Sequence, residues 1–568
     1  MDNKRLFLAA LLSLGVLVLW QVVFPPAKPT VPVSSEMAPL AAAPASAPGA
    51  SAAVVPAASP TAPSGGAPVA SAPQPVLEPV MGATESKEVL ETSQFRAEFS
   101  SRGAQLVSFQ LKQHHAADGQ PLELVRRRAG EWPLPFALVG PQGTAEPANR
   151  ALFLVERPNP DVLRFHYRGP EGDIEKIFRS MADGFAVEMR AAGRTDWGFV
   201  LGQGLRNPTA DELKSQFTRR MASWRSGAKV ESADHSDLEP RTIPALGLGW
   251  VALEDNYFIE AFLPAKPVSA ATRPLLEVPG EGGSSFELAP AKDLLEGDRK
   301  KLNREQEVLV FPQAEQVEGR AYLGAKSYDV LASLGVGLEK TIRWGTFGFI
   351  ARPLLLALRW IHDHVVPNYG WSIILMTLMI NILLLPLNHK SYMSMKKMQL
   401  LNPRMEAIKE KWRTKLKDKQ GRPNVEAQRK MQEEISGLFR AEGVSPIGGC
   451  LPILLQMPLL FAFYSLLSSA VELRGAPWLG WIRDLAAADP YFVLPTVMGA
   501  TQFLQQRLSP QVGDPIQRRM FQLMPIFFTV LFLGFPAGLV LYWLVSNVFG
   551  VGRQLVYNTI QKKQAVAK

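Results

Sequence analysis

A chain of 568 residues is long enough for more than one domain, and a hydrophobic fraction of 47% is too high for an ordinary protein with a charged surface facing water. Cys450 is the single cysteine, which excludes an intrachain disulfide and a cysteine-rich metal or iron–sulfur site and leaves it the role of a small packing residue. The net charge of +9 has meaning only where it is concentrated.

Residues 1–24 hold the apolar run "LFLAALLSLGVLVLWQVVF" just after Lys4 and Arg5, which predicts an N-terminal transmembrane anchor with its start in the cytoplasm. A cleavable signal peptide is the rival reading. The run is longer than a usual signal core, and no small-x-small site stands close behind it. Residues 25–83 are mostly Ala, Pro, Ser and Val, a composition that cannot bury a core and reads as a linker. Period-two patterns follow: Phe95, Ala97 and Phe99; Val107, Phe109 and Leu111; Leu163, Phe165 and Tyr167; Phe185, Val187 and Met189. With turns such as "SSRGA" between them they predict a large antiparallel β domain over 84–325, outside the cytoplasm if the anchor runs outward.

Residues 326–568 have a different character. The stretch 346–364 mixes apolar residues with Arg352, Arg359, His362 and Asp363, as a helix lying along a membrane surface would. Crossing helices are expected near 370–388, 450–470, 490–507, 520–535 and 536–553, which with the anchor makes six. Between Asn388 and Val444 stand fourteen Lys or Arg against seven Asp or Glu, a net +7, whereas Val471–Pro490 holds two basic and three acidic residues. The basic loop is therefore cytoplasmic, and so are both termini. Within it, Met395, Met398, Leu401, Met405, Ile408 and Trp412 recur at helical spacing, as do Val425, Gln428, Met431, Ile435 and Leu438, with "DKQGRPN" between: a helical hairpin over 390–442. Its cations, among them Lys396, Lys397, Lys409, Lys411, Arg413 and Lys415, suit lipid headgroups or ribosomal RNA, or else serve only to set topology.

Polar residues recur in the spans at one depth. Asn381 lies about six residues, roughly 9 Å, from the expected cytoplasmic end of its span. Gln456, Thr501 with Gln502, and Ser546 with Asn547 occupy matching positions in three others. Such residues either tie helices together or line a wet concavity, and their restriction to one leaflet favours a concavity open to the cytoplasm rather than a complete pore. Neither a Walker loop nor a G-x-G-x-x-G ahead of a helix is present, and His389 has no second ligand at metal spacing. Neither cofactor nor metal is expected.

The stretches "GWSIILMTLMINILLLPLNHKSYMSMKKMQLLNP", "SPIGGCLPILLQMPLLFAFYSLL", "VELRGAPWLGWIRDLAAADPY" and "FPAGLVLYWLVSNV", with "LGLGWVALEDNYFIEAFLP" in the β region, closely resemble the YidC/Oxa1/Alb3 membrane protein insertases, in their long Gram-negative inner-membrane form. The resemblance implies an α-helical membrane protein of six transmembrane helices with a five-helix insertase core, joined to a large periplasmic all-β domain, a β-supersandwich. It implies a hydrophilic groove that takes polar segments of nascent membrane proteins and a hydrophobic slide that releases apolar segments into lipid. Thr377, Gln456 and Tyr542 match groove positions; Met457 and Pro458, and the Phe521–Phe532 segment with Phe527 and Phe528, match the slide. Where the family usually has an arginine in the second span this chain has Asn381, so a mechanism that rests on that charge does not transfer.

The reading is therefore an insertase and chaperone, not an enzyme. Its expected partners are nascent membrane proteins, the ribosome, the Sec translocon, the signal recognition particle pathway and membrane lipids, with no DNA. A small-solute transporter or channel is disfavoured by the one-sided polar track and the lack of internal repeats. A membrane-anchored periplasmic carbohydrate-active protein is disfavoured by the lack of a carboxylate pair in the sequence pattern.

Overall fold

The computed structural model describes residues 78–566 apart from 117, 127–132, 210–211, 213–217, 281–282, 289–301, 417–423, 445–450 and 511–514. The expected anchor, most of the linker, Cys450 and the tip of the hairpin lie outside the described residues. The alternation noted in the sequence becomes a two-faced strand in space: in Phe95–Ser100 the side chains of Phe95, Ala97 and Phe99 are buried while Arg96 and Glu98 stay partly exposed. Burying one face is what fixes register, because a slip of one residue would turn all three apolar groups to water.

Nineteen strands are described, from Lys87–Glu91 to Gln316–Ala325. They form a four-stranded, a six-stranded and a nine-stranded sheet, and the registered pairings are antiparallel. In the nine-stranded sheet the last strand, Gln316–Ala325, lies between Phe258–Pro264 and Gly184–Ala191, so the chain leaves the β region from mid-sheet. One apolar core joins the three sheets, with Phe109 from the first, Phe199 from the second and Phe185 from the third. Phe95, Phe99 and Phe109 each set a ring edge-on to Phe185 with centroids 5.4–5.6 Å apart, the geometry that the ring quadrupole favours. Lys176 and Glu260 are among the ionisable groups buried in this region. Lys176 is wholly buried and donates to the carbonyls of Gly103, Ala104 and Phe136 at 2.7, 3.3 and 2.7 Å. Glu260 is buried with its Oε1 unpartnered among the described residues.

Helices follow: α1 (Tyr328–Ser333), α2 (Gly348–His364), α3 (Tyr369–Leu383), α4 (Leu385–Arg413), α5 (Val425–Ala441), α6 (Leu451–Ser469), α7 (Val493–Leu508), α8 (Pro515–Phe532) and α9 (Ala537–Val566). A second core holds α2, α3, α6, α7 and α9 together around Leu358, Phe463, Met498 and Tyr542. Only Ala537–Ile560 is, among the described helices, a single stretch both long and apolar enough to cross a membrane. The span expected at 370–388 is instead broken: α3 and α4 meet at 58° across Leu384. Pro386 stands in the first turn of α4, and having no N–H it cannot continue the hydrogen-bond ladder of α3. Leu455–Ser469 and Gln522–Phe532 are shorter apolar stretches.

The hairpin is stapled by charge as well as by its stripe. Met398 and Leu401 cluster with Leu438, Phe439 and Val444, while Trp412 Nε1 donates to Glu434 at 2.7 Å. Lys411 pairs with the same Glu434 at 2.8 Å, and Arg404 with Glu442 at 2.8 Å.

Candidate functional site: polar clasps in the helical bundle

Two helices bring polar residues to α9, and α9 sends one of its own to a third. Asn381, in the last turn of α3, donates through Nδ2 to Thr377 O at 2.9 Å and to Ser546 Oγ of α9 at 3.2 Å. Gln456 of α6 donates through Nε2 to the hydroxyl of Tyr542, one turn before Ser546 on the same helix. Asn547 Nδ2 reaches across to Met498 O of α7 at 3.2 Å. Residues four apart share a helix face, which is why 542 and 546 can receive α6 and α3 side by side. An amide in an apolar bundle must find such partners, since lipid has none to offer.

These positions divide by accessibility in a way that their spacing could not tell. Thr377 and Tyr542 are wholly buried and Asn547 nearly so, whereas Asn381, Gln456 and Ser546 are half-buried. The expectation that all eight residues present polar groups to one wet concavity therefore needs correction. The Thr377 hydroxyl turns back to Ile373 O at 2.6 Å, and Thr501 does the same toward Val497 O and Met498 O of its own helix, because a hydroxyl in an apolar helix can satisfy itself on the preceding turn. Gln502 keeps a buried Oε1 unpartnered among the described residues. The depth of Asn381 also changes: its helix ends at Leu383, two residues on, rather than near 388.

Apolar surface lies on α8. Leu523, Ile526, Phe527 and Val530 are exposed on one stripe, with Phe527 39% exposed, whereas Phe528 turns inward to Trp543 at 5.5 Å between centroids. Of the two phenylalanines assigned to the slide, one faces outward and its neighbour is packing. Met457 and Pro458 of α6 are half-buried. Among the hairpin cations, Lys397 is exposed, Arg413 pairs with Glu410 at 3.4 Å and Lys415 lies 5.3 Å from the Trp412 ring; Lys396 and Lys409 are half-buried.

Two features had no signal in the sequence. Arg359 of α2 pairs with Glu472, just beyond α6, and with Asp329 of α1 at 2.7 Å. Burial by itself would pull this guanidinium down, but the two carboxylates hold it above its ordinary value. In the loop between α6 and α7, Asp489 accepts Trp481 Nε1 at 2.9 Å and the backbone N–H of Leu494 at 2.7 Å, and Ala487 O accepts from Ala537 N at the start of α9 at 2.7 Å. The partners of Arg359 and Ala487 are far apart in sequence, so no local spacing announces them. A cleft of about 430 Å³ opens on the six-stranded sheet beside Trp197, Arg241, Arg273 and Phe311. Asp196 is the one carboxylate among its described lining residues.

Residues 88–357 match the model of the YidC periplasmic domain, and residues 360–564 that of the 60Kd inner membrane protein family. The chain is 32% identical over 590 residues to the membrane protein insertase YidC of Maridesulfovibrio salexigens, covering 98% of both. It is 32% identical to that of Syntrophus aciditrophicus over 84% of this chain and 86% of the relative. Among solved structures, an active YidC insertase crystal structure with its first transmembrane domain resolved aligns over 84% of this chain and 94% of its own, at 17% identity and a TM-score of 0.34.

Proposed function

The chain belongs to the YidC family of membrane protein insertases, inner-membrane proteins with a periplasmic domain, and from that membership we propose how it inserts nascent membrane proteins. The work is transfer between phases, with no covalent step. The observation that carries the reading is the pair of clasps, Asn381 to Ser546 and Gln456 to Tyr542, which meet on one face of α9 and leave half-buried amides at the bundle's polar seam. A hydrophilic segment entering there exchanges its own peptide groups for these interhelical bonds. Each such bond is worth only about 0.6 kcal/mol in a membrane protein, so the exchange is reversible. Thr377, Tyr542 and Asn547 back the seam, and Thr501 and Gln502 border it from α7. The apolar segment leaves along Met457, Pro458 and the outward face of α8 at Phe527, with Phe528 bracing that face from behind.

The anchor at 1–24 and α3, α6, α7, α8 and α9 make the six spans, the last five being the insertase core, with both termini and the hairpin at 390–442 in the cytoplasm. Residues 25–83 tether the anchor to the β domain at 84–325, a β-supersandwich. The hairpin's lysines and arginines contact the ribosome or lipid headgroups, and delivery involves the signal recognition particle pathway and the Sec translocon. Charge supports this orientation, since the +7 loop belongs inside. Photocrosslinkers at 381 and 456 should capture the hydrophilic flank of a stalled nascent membrane protein, and those at 457 and 527 its apolar segment, while one at 528 stays silent. Adducts to lipid alone at all four positions would remove both seam and slide.

A further inference from the structure

A small cavity of about 100 Å³ lies where the β domain meets the helices, among Arg219 and Asp255 of the β domain, Lys326 just after it, Arg343 and Gly345 just before α2, and Ser465 and Ser469 near the end of α6. Its charge is not balanced. Lys326 is committed to Glu254 at 2.8 Å and to Asp255 O at 3.0 Å, and Asp255 to Arg206. Arg219 and Arg343 have no carboxylate within ion-pair distance among the described residues, and both are exposed; Arg343 spends one N–H on Ser232 Oγ at 2.8 Å. Two arginines without an ion-pair partner among the described residues thus line one cavity with serines.

The backbone is shaped to keep this space open. Gly345 has φ of +65°, and a side chain there would come within 3.0 Å of Ser465 Oγ. Ser469, itself buried, donates through Oγ to Arg343 O at 3.3 Å. Apolar surface adjoins the rim: Phe347 stacks on Phe461 of α6 at 5.9 Å, and the next ring, Phe349, is 74% exposed. Arginine presents several N–H groups in a fixed fork suited to phosphate oxygens, and serine adds a neutral donor.

We propose that this seam binds a phosphoryl anion, whose chemistry fits the phosphodiester of an anionic lipid headgroup with its acyl chains along Phe349. The place in the outer leaflet rests on the orientation proposed above, whereas the phosphoryl specificity rests on the cavity alone. The test uses the full-length chain in neutral detergent with three probes: dihexanoyl phosphatidylglycerol, inorganic phosphate, and dioctanoylglycerol, which has chains and no phosphate. Phosphatidylglycerol should raise the melting temperature, and Arg219→Gln with Arg343→Gln should weaken its binding about tenfold or more, whereas Arg219→Lys with Arg343→Lys, which keeps the charge and loses the planar fork, should fall between the two. Inorganic phosphate binding as tightly as the lipid keeps the site and assigns it to a free anion; weaker phosphate assigns it to lipid. Equal binding of dioctanoylglycerol, or phosphatidylglycerol binding unchanged in the glutamine variant, overturns the proposal. Insertion of a single-span reporter by the same variants separates this outcome from failure of the insertase reading, which loses insertion whatever the lipid does.

Discussion

Asn381 and Gln456 approach α9 from different helices and bind hydroxyls one turn apart. Removing one amide leaves the other clasp to hold that face, so Asn381→Leu or Gln456→Leu alone should reduce insertion in part, and the double variant should lose more than the sum of the two. Asn381→Arg should be tolerated and should favour a reporter with an acidic tail over a neutral one, because only then does the seam carry a field. Additive losses without acidic-tail preference would make these amides packing bonds and nothing more. In the β domain, burial pushes the Glu260 carboxyl up to about 8 and the Lys176 ammonium down to about 7. Folded Glu260 keeps a proton that the unfolded chain releases near pH 4.5, so its contribution to stability falls as pH rises from about 4.5 to 8. Lys176 acts in the opposite sense: the unfolded chain holds its proton up to about 10.5, and stability rises with pH from about 7 to 10.5. Melting temperatures of the full-length chain across pH should show the acid-side slope vanish in Glu260→Gln. Lys176→Met should lose the alkaline slope and melt lower throughout, because three buried carbonyls lose their donor.

At the scale of elements, the break at Leu384 sends the amphipathic hairpin away from the apolar axis of α3, so one continuous hydrophobic run serves two directions. Pro386→Ala restores the missing N–H and should reduce the 58° bend, measurable as a longer spin-label distance between residues 372 and 400. An unchanged distance would place the cause of the bend in tertiary packing. The other end of α3 depends on a close approach: Gly370 lies against the indole of Trp478, and a Cβ there would overlap the ring. Gly370→Ala should cost about 1–3 kcal/mol of stability, and Trp478→Leu in the same chain should recover much of it.

Across the whole molecule, the β domain and the helices are bound by specific contacts as well as by the chain between them. Tyr257 OH donates to Leu467 O at 3.2 Å, Arg225 Nη1 to Val336 O at 2.6 Å, and Arg359 joins α1 and α2 to the end of α6. With the +7 hairpin inside, residues 84–325 should be cleaved by protease added to spheroplasts while 390–442 are protected. Cleavage of the hairpin from outside would reverse the orientation.

Strands were legible in the sequence because their signal is local: Phe95, Ala97 and Phe99 alternate with polar neighbours, and a period of two needs no knowledge of the partner strand. The stripes of the 390–442 segment are a local signal for the same reason, since they repeat within each helix, and the family motifs are contiguous words. Tertiary structure alone decided which polar residues meet. Thr377 and Asn381 lie one turn apart in α3, yet the first turns back on its own helix and the second crosses to α9. Phe527 and Phe528 are adjacent, yet one faces out and the other braces Trp543. Spacing fixes the direction of a side chain about its own helix axis, but its partner depends on where the next helix is packed, and that is set by contacts such as Arg359 with Glu472 over more than a hundred residues of chain.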